Sequence, residues 1–171
     1  MKIGIIGAMD IEVEELINSM KDIKKETISN IDFYEGTLQG KNVVVAECGV
    51  GKVHAAVCTQ TMILKYAPNV IINTGVAGSL STELGIADIV ISDGVVQHDF
   101  DVSSFGKPVG LISGIDLIKI PCNEELVKKL KNAAKVLEDT NVVVGTVASG
   151  DQFISSKEKK DYIINNFNAL C

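Results

Sequence analysis

The chain has 171 residues, 46% of them hydrophobic, which suits one well-filled core and is tight for two domains. Its net charge of −6 and isoelectric point near 4.9 argue against nucleic acid or anionic membrane as main partner. No stretch reaches the ~18 apolar residues of a membrane span, and all 16 basic residues are lysines, so an arginine clamp on phosphate has no source in this chain.

The opening MKIGIIGAMDIEVEEL is apolar too briefly for a secretion signal and turns acidic at once. KIGIIG (2–7) predicts a buried strand, and Asp10 is placed as the N-cap of a helix. Val13, Leu16, Ile17 and Met20 then share one helical stripe. IDFYEGTLQGKNVVVAECG (31–49) predicts a hairpin turning at QGKN, and 51–68 a helix ended by Pro68. NVIINTG and 87–100 predict strands, and 123–139 an amphipathic helix capped by Asn123. Strand 141–151 leaves through glycine, 155–167 is a polar helix, and NALC begins something apolar. Strands alternating with helices, several of them apolar throughout, predict an α/β fold with a sheet parallel at its centre and covered on both faces. Cys48, Cys58, Cys122 and Cys171 form no CxxC pair and read as buried thiols of a reducing compartment.

In such sheets ligands gather beyond the carboxyl ends of strands. Three strands exit there through glycine, at GIIGAM, NTGVAGS and VASGDQF, and their convergence would make one pocket floor. GIIGAM lacks the spacing of a dinucleotide fingerprint; AECGVGKV lacks the first glycine and the Ser/Thr of a P-loop. Glu12 stands near the mouth of the first strand, where a carboxylate could take a proton from water, although acidic residues are favoured in a first turn by the helix dipole alone. Glu14 and Glu15 fit that dipole reading. His98, Asp99 and Asp101 cluster on one local segment, which favours a hydrogen-bonded loop over a metal site. Phe153 after SGD reads equally as core or as a stacking platform.

The segments MKIGIIGAMDIEVEEL, GVGKVHAA, VIINTGVAGSL, DIVISD, HDFDVSSFG and SGDQFI, in this order, resemble the bacterial 5′-methylthioadenosine/S-adenosylhomocysteine nucleosidases over essentially the whole chain. The resemblance implies a single α/β domain over 1–171. It implies a three-layer nucleoside-phosphorylase-like fold, with a central mixed, partly barrel-like sheet flanked by helices. It implies hydrolysis of the N-glycosidic bond, releasing adenine and a 5-thio-ribose in methionine salvage, with no metal or organic cofactor. Glu12 matches the base that activates water, through an oxocarbenium-like transition state. Met9 matches the ribose region and Val50 an apolar wall. Val76, Ala77 and Gly78 match the turn beside purine and ribose. Phe153 matches the ring that stacks on adenine, and Ile154 the backbone at the purine edge. Val102 and Phe105 match residues that enter the partner subunit's pocket, which implies a homodimer; the missing export signal and unpaired cysteines suit a cytoplasmic protein. On this reading Gly75 and Gly78 keep the turn bare for a flat nucleoside.

The chain ends at Cys171. The resemblance places a Met-Glu pair for the ribose hydroxyls and an acid for the leaving adenine further along, so the expectation is a C-terminally shortened domain that is inactive alone. Two other readings stand beside the nucleosidase: a purine or uridine phosphorylase, and a nucleoside-binding module without catalysis. The absence of arginine weighs against the phosphorylase.

Overall fold

The computed structural model describes residues 1–171, which form two compact units, Met1–Val76 and Ala77–Cys171.

In the first unit, β1 (Lys2–Gly7) is followed by α1 (Asp10–Asn18), β2 (Lys21–Ile28), β3 (Ile31–Leu38), β4 (Lys41–Glu47), α2 (Lys52–Tyr66) and β5 (Val70–Asn73). The five-stranded sheet has the order β2-β3-β4-β1-β5. β1 lies parallel to both β4 and β5, while β2, β3 and β4 pair antiparallel. The expected hairpin is β3–β4, and Gln39 and Gly40 turn it with positive φ of 47° and 74°. β2 was not foreseen. It is exposed along almost its whole length and carries four lysine or glutamate side chains within KKE and the preceding KD, so it lacks the apolar alternation that marks a strand.

The apolar runs of β1 and β4 follow from helices on both faces of the sheet. Ile5, Val43 and Val45 pack with Val13 and Met20 on the α1 side. Ile6, Val44, Ala46 and Phe33 pack with Cys58, Met62 and Tyr66 of α2 on the other. Phe33 is fully buried there, and truncating it to Ala would cost about 3–5 kcal/mol. Gly4 lets α2 approach β1, since a Cβ there would lie 2.5 Å from the Met62 sulfur. α2 ends at Ala67 in the left-handed conformation, just before Pro68.

In the second unit, β6 (Ile89–Gln97), β7 (Lys119–Pro121), α3 (Glu124–Ala133), β8 (Val142–Ser149) and α4 (Lys157–Phe167) follow one another. β6 is central, parallel to β8 and antiparallel to β7. The strands thus form two hydrogen-bonded sheets where the sequence suggested one. Asn123 caps α3 by accepting from the Leu126 amide. Val96, Ile163, Phe167 and Ala169 form the core of this unit. The final residues run along β8: Leu170 N donates to Thr146 O and Ala148 N to Cys171 O. The apolar NALC segment thus runs beside β8, with an isolated parallel bridge between Thr146 and Ala169. No helix is long and apolar enough to cross a membrane.

Candidate active site

β1 ends at Gly7, and the chain reaches α1 through Ala8 and Met9. The N-cap is Met9, with extended φ and ψ, and not Asp10. Asp10 is instead the first helical residue, and its carboxylate accepts from the neighbouring Ile11 amide. The free amides of the helix start are taken by Glu12, whose side chain folds back over them. Glu12 Oε2 accepts from Ala8 N at 2.7 Å and Met9 N at 3.0 Å. Oε1 accepts from Val76 N at 2.9 Å, on the segment that follows β5. The same carboxylate is therefore cap and cross-strand clasp, tying the exits of two adjacent parallel strands. A carboxylate offers about four acceptor positions. Three are filled by backbone amides, and the fourth lies on Oε1.

Two glycines make room for this carboxylate. A Cβ at Gly75 would stand 2.5 Å from Oε1 and 2.8 Å from Cδ of Glu12. A Cβ at Gly7 would meet Glu12 Cβ at 3.1 Å and Val13 Cγ1 at 2.6 Å. For Gly75 the close neighbour is Glu12 itself, a contact the sequence did not suggest. Gly78 differs: a Cβ there meets nothing within 4 Å. Val76 is 77% exposed, a valine whose amide is engaged while its side chain faces outward. Met9 is half-buried.

Val50 stands in the tight link between β4 and α2, flanked by Gly49 and Gly51 with φ of 83° and 108°. Its carbonyl lies 2.8 Å from His54 Nδ1, which must donate because a carbonyl only accepts. Its side chain is exposed. Burial raises the Cys48 thiol above its ordinary range, and the nearby Glu12 and Glu47 carboxylates add to that. A cleft of about 710 Å³ in this unit is lined by Asp10, Glu14, Glu47, Cys48 and His54 among others. Met9, Glu12 and Val76 do not line it, and its acidic rim suits no feature of the Glu12 clasp.

Of the other residues singled out, Ala77, Gly78, Val102, Phe105, Phe153 and Ile154 belong to the second unit. Ala77 is exposed. Phe105 closes a short 3₁₀ turn, Ser103–Phe105, and is 83% exposed, with Val102 half-buried before it. Asp101 accepts from the Ser103 amide at 2.8 Å, and its contacts with Ser103 hold its carboxyl below the usual carboxylate range. The 98–101 segment is a hydrogen-bonded loop, but with a distant partner that spacing did not reveal: Asp99 Oδ2 accepts from Asp151 N, 52 residues on. Phe153 is 94% exposed, while Ile154 packs against the core of its unit.

Residues 2–171 match the profile of the Phosphorylase superfamily, the class to which this α/β arrangement corresponds. The chain is 44% identical to a 5′-methylthioadenosine/S-adenosylhomocysteine nucleosidase of Shewanella loihica, over 99% of this chain and 74% of the relative. The structure superposes with a TM-score of 0.94 on the Neisseria meningitidis nucleosidase solved with methylthio-immucillin-A, at 36% identity over 99% of this chain and 73% of that one. It superposes at 0.93 on the futalosine hydrolase of Helicobacter pylori, at 35% identity over 99% of this chain and 72% of that one. The chain belongs to the 5′-methylthioadenosine/S-adenosylhomocysteine nucleosidase family.

Proposed function

We propose that the chain carries the hydrolytic machinery for the N-glycosidic bond of 5′-methylthioadenosine and S-adenosylhomocysteine, releasing adenine and the 5-thio-ribose. The observation that carries this reading is the Glu12 carboxylate, fixed by three backbone amides with one acceptor position left on Oε1. A group so held loses little freedom when it accepts a proton from water in the transition state. Water's oxygen then bonds to the anomeric carbon, the carbon–nitrogen bond breaks, and its electron pair leaves with adenine. The proton taken by Glu12 balances the one adenine finally carries, so one water is added across the bond. Charge builds on the ribose ring in an oxocarbenium-like transition state.

The remaining roles rest on family membership and on exposure. Phe153, 94% exposed in a segment that follows a strand exit, serves as the adenine platform. Ile154 backbone meets the purine edge. Met9, Val50, Val76, Ala77 and Gly78 line the nucleoside. Val102 and Phe105 enter the pocket of a second copy, so the working form is a homodimer, placed in the cytoplasm.

Adenine release measured in phosphate-free buffer tests the reading. Release without phosphate supports it. A requirement for phosphate would make the protein a phosphorylase, and binding without release would make it a nucleoside-binding module. Futalosine belongs in the same assay, because the Helicobacter pylori hydrolase shares the fold at similar identity.

A further inference from the structure

β6 and β8 run parallel, with one register shift between Ser92 and Gly94, to their last pair, Gln97 with Ser149, and His98 N donates to Ser149 O at 3.0 Å. Past that pair β6 supplies His98 and Asp99, and β8 supplies the turn Gly150–Ile154. The two segments remain joined. Asp99 Oδ2 accepts from Asp151 N at 2.8 Å. The buried His98 ring fills the space beside Gly150, where a Cβ would overlap Nε2 and stand 2.6 Å from Cε1. On the far side Lys159 Nζ donates to Gln152 Oε1 at 3.0 Å, and Ser156 caps α4 by accepting from Lys159 N. The turn is therefore held at both ends. Between the two anchors Phe153 projects into solvent, 94% exposed, and the partly buried Ile154 packs against the core. Leaving a phenyl ring in water is unfavourable, and nothing in the packing of this turn requires a ring at that place. A rigid support under an exposed ring is what a planar ligand needs for stacking without loss of loop entropy.

We propose that Asp99 is a positioning residue for the purine ring. Its carboxylate holds the Asp151 amide, and with the His98 ring wedged against Gly150 it fixes the turn from which Phe153 offers its face. This rests on the reading of Phe153 as the adenine platform. Asp99 touches no reacting atom; it acts through the main chain of Asp151 and Gln152.

The test uses adenine and the full chain. The sequence has no tryptophan, so Phe153→Trp gives a single tryptophan, excited apart from the tyrosines, whose quenching by adenine reports stacking. In that background Asp99→Ala weakens adenine binding about fivefold, lowers the tryptophan anisotropy and speeds amide exchange at Gln152–Ile154. Asp99→Asn, whose side-chain oxygen can still accept from Asp151 N, restores all three to within about twofold. If Asp99→Ala does not fold, Asp99→Ser, too short to span to that amide, is measured in its place. Unchanged adenine affinity in the Ala or Ser variant overturns the proposal, and so does failure of Asn to rescue. Phe153→Ala, measured by calorimetry, separates the two readings: it weakens adenine about tenfold if the ring stacks on the base. If it does not, or if the parent chain binds no adenine, the platform reading falls and takes this proposal with it.

Discussion

Glu12 and Val76 lie 64 residues apart and are joined by a 2.9 Å hydrogen bond from the Val76 amide to Oε1. With the Ala8 and Met9 amides on Oε2, this makes Glu12 a structural element and a chemical one at once. The two roles do not separate cleanly on mutation. Glu12→Gln keeps one acceptor oxygen and turns an NH₂ group toward at least one amide donor, so two donors face each other. Turnover falls by about two to four orders of magnitude. Stability falls as well, by about 1–3 kcal/mol, because a partly buried amide loses its acceptor. Adenine release and urea denaturation on the same preparation check both. Turnover near that of the parent would remove Glu12 from the mechanism.

The two glycines of the turn after β5 answer to different neighbours. Gly75→Ala forces its Cβ to 2.5 Å from Glu12 Oε1. The carboxylate is held by backbone and cannot swing away cheaply, so the variant loses about 1–3 kcal/mol of stability. Gly78→Val meets open space, so its melting temperature stays within a degree or two of the parent, about what a neutral surface change does. Its nucleoside affinity falls, since the new side chain enters the space assigned to ligand. Thermal melts and a calorimetric titration of the pair distinguish them. Equal melting losses would contradict the geometry.

Two buried groups set an alkaline limit on stability. Burial pushes the Cys58 thiol up from its ordinary 9.0 to about 12. Burial, and then the Glu26 carboxylate, push the Tyr66 hydroxyl up from 10.0 to about 12. In both, the unfolded chain ionises first, so the folded state binds more protons across the interval. Their contribution is intact below pH 9 for Cys58 and below pH 10 for Tyr66, and is lost as pH rises toward about 12. The urea midpoint therefore falls steadily above pH 9. Cys58→Ala and Tyr66→Phe are less stable at neutral pH but flatten that fall. A slope unchanged in both variants would assign the alkaline limit elsewhere.

Phe105 and Glu12 allow a test of subunit sharing. If Phe105 serves a second copy's pocket, a heterodimer of Glu12→Gln with Phe105→Ala has one pocket carrying both defects and one carrying neither. Random exchange of equal amounts then restores about a quarter of the parent's sites. Mixing after brief denaturation, followed by adenine release, measures it. No gain above the two single variants would place Phe105 outside a shared pocket.

The sequence by itself determined most of the elements. β1, the β3–β4 hairpin, α2 and α4 were legible because their signals are local: apolar runs, a turn at Gln39–Gly40, a stop at Pro68, a polar helical run over 155–167. The family was legible too, through motifs that are short and ordered along the chain. Glu12 could be singled out because it stands at a strand exit. What the sequence could not supply was its partner. The three amides that hold Glu12 carry no side-chain signature, and one of them arrives from β5 only after β1 and β5 have paired. For the same reason Gly75 read as room for a ligand, when its neighbour is the Glu12 carboxylate. β2 was missed because its exposed, charged residues belong to a strand only through pairing with β3. The Asp99–Asp151 link was hidden in the same way, by the parallel register of β6 and β8. Local patterns select secondary structure, but a backbone amide becomes a binding partner only when the tertiary fold brings a distant side chain to it.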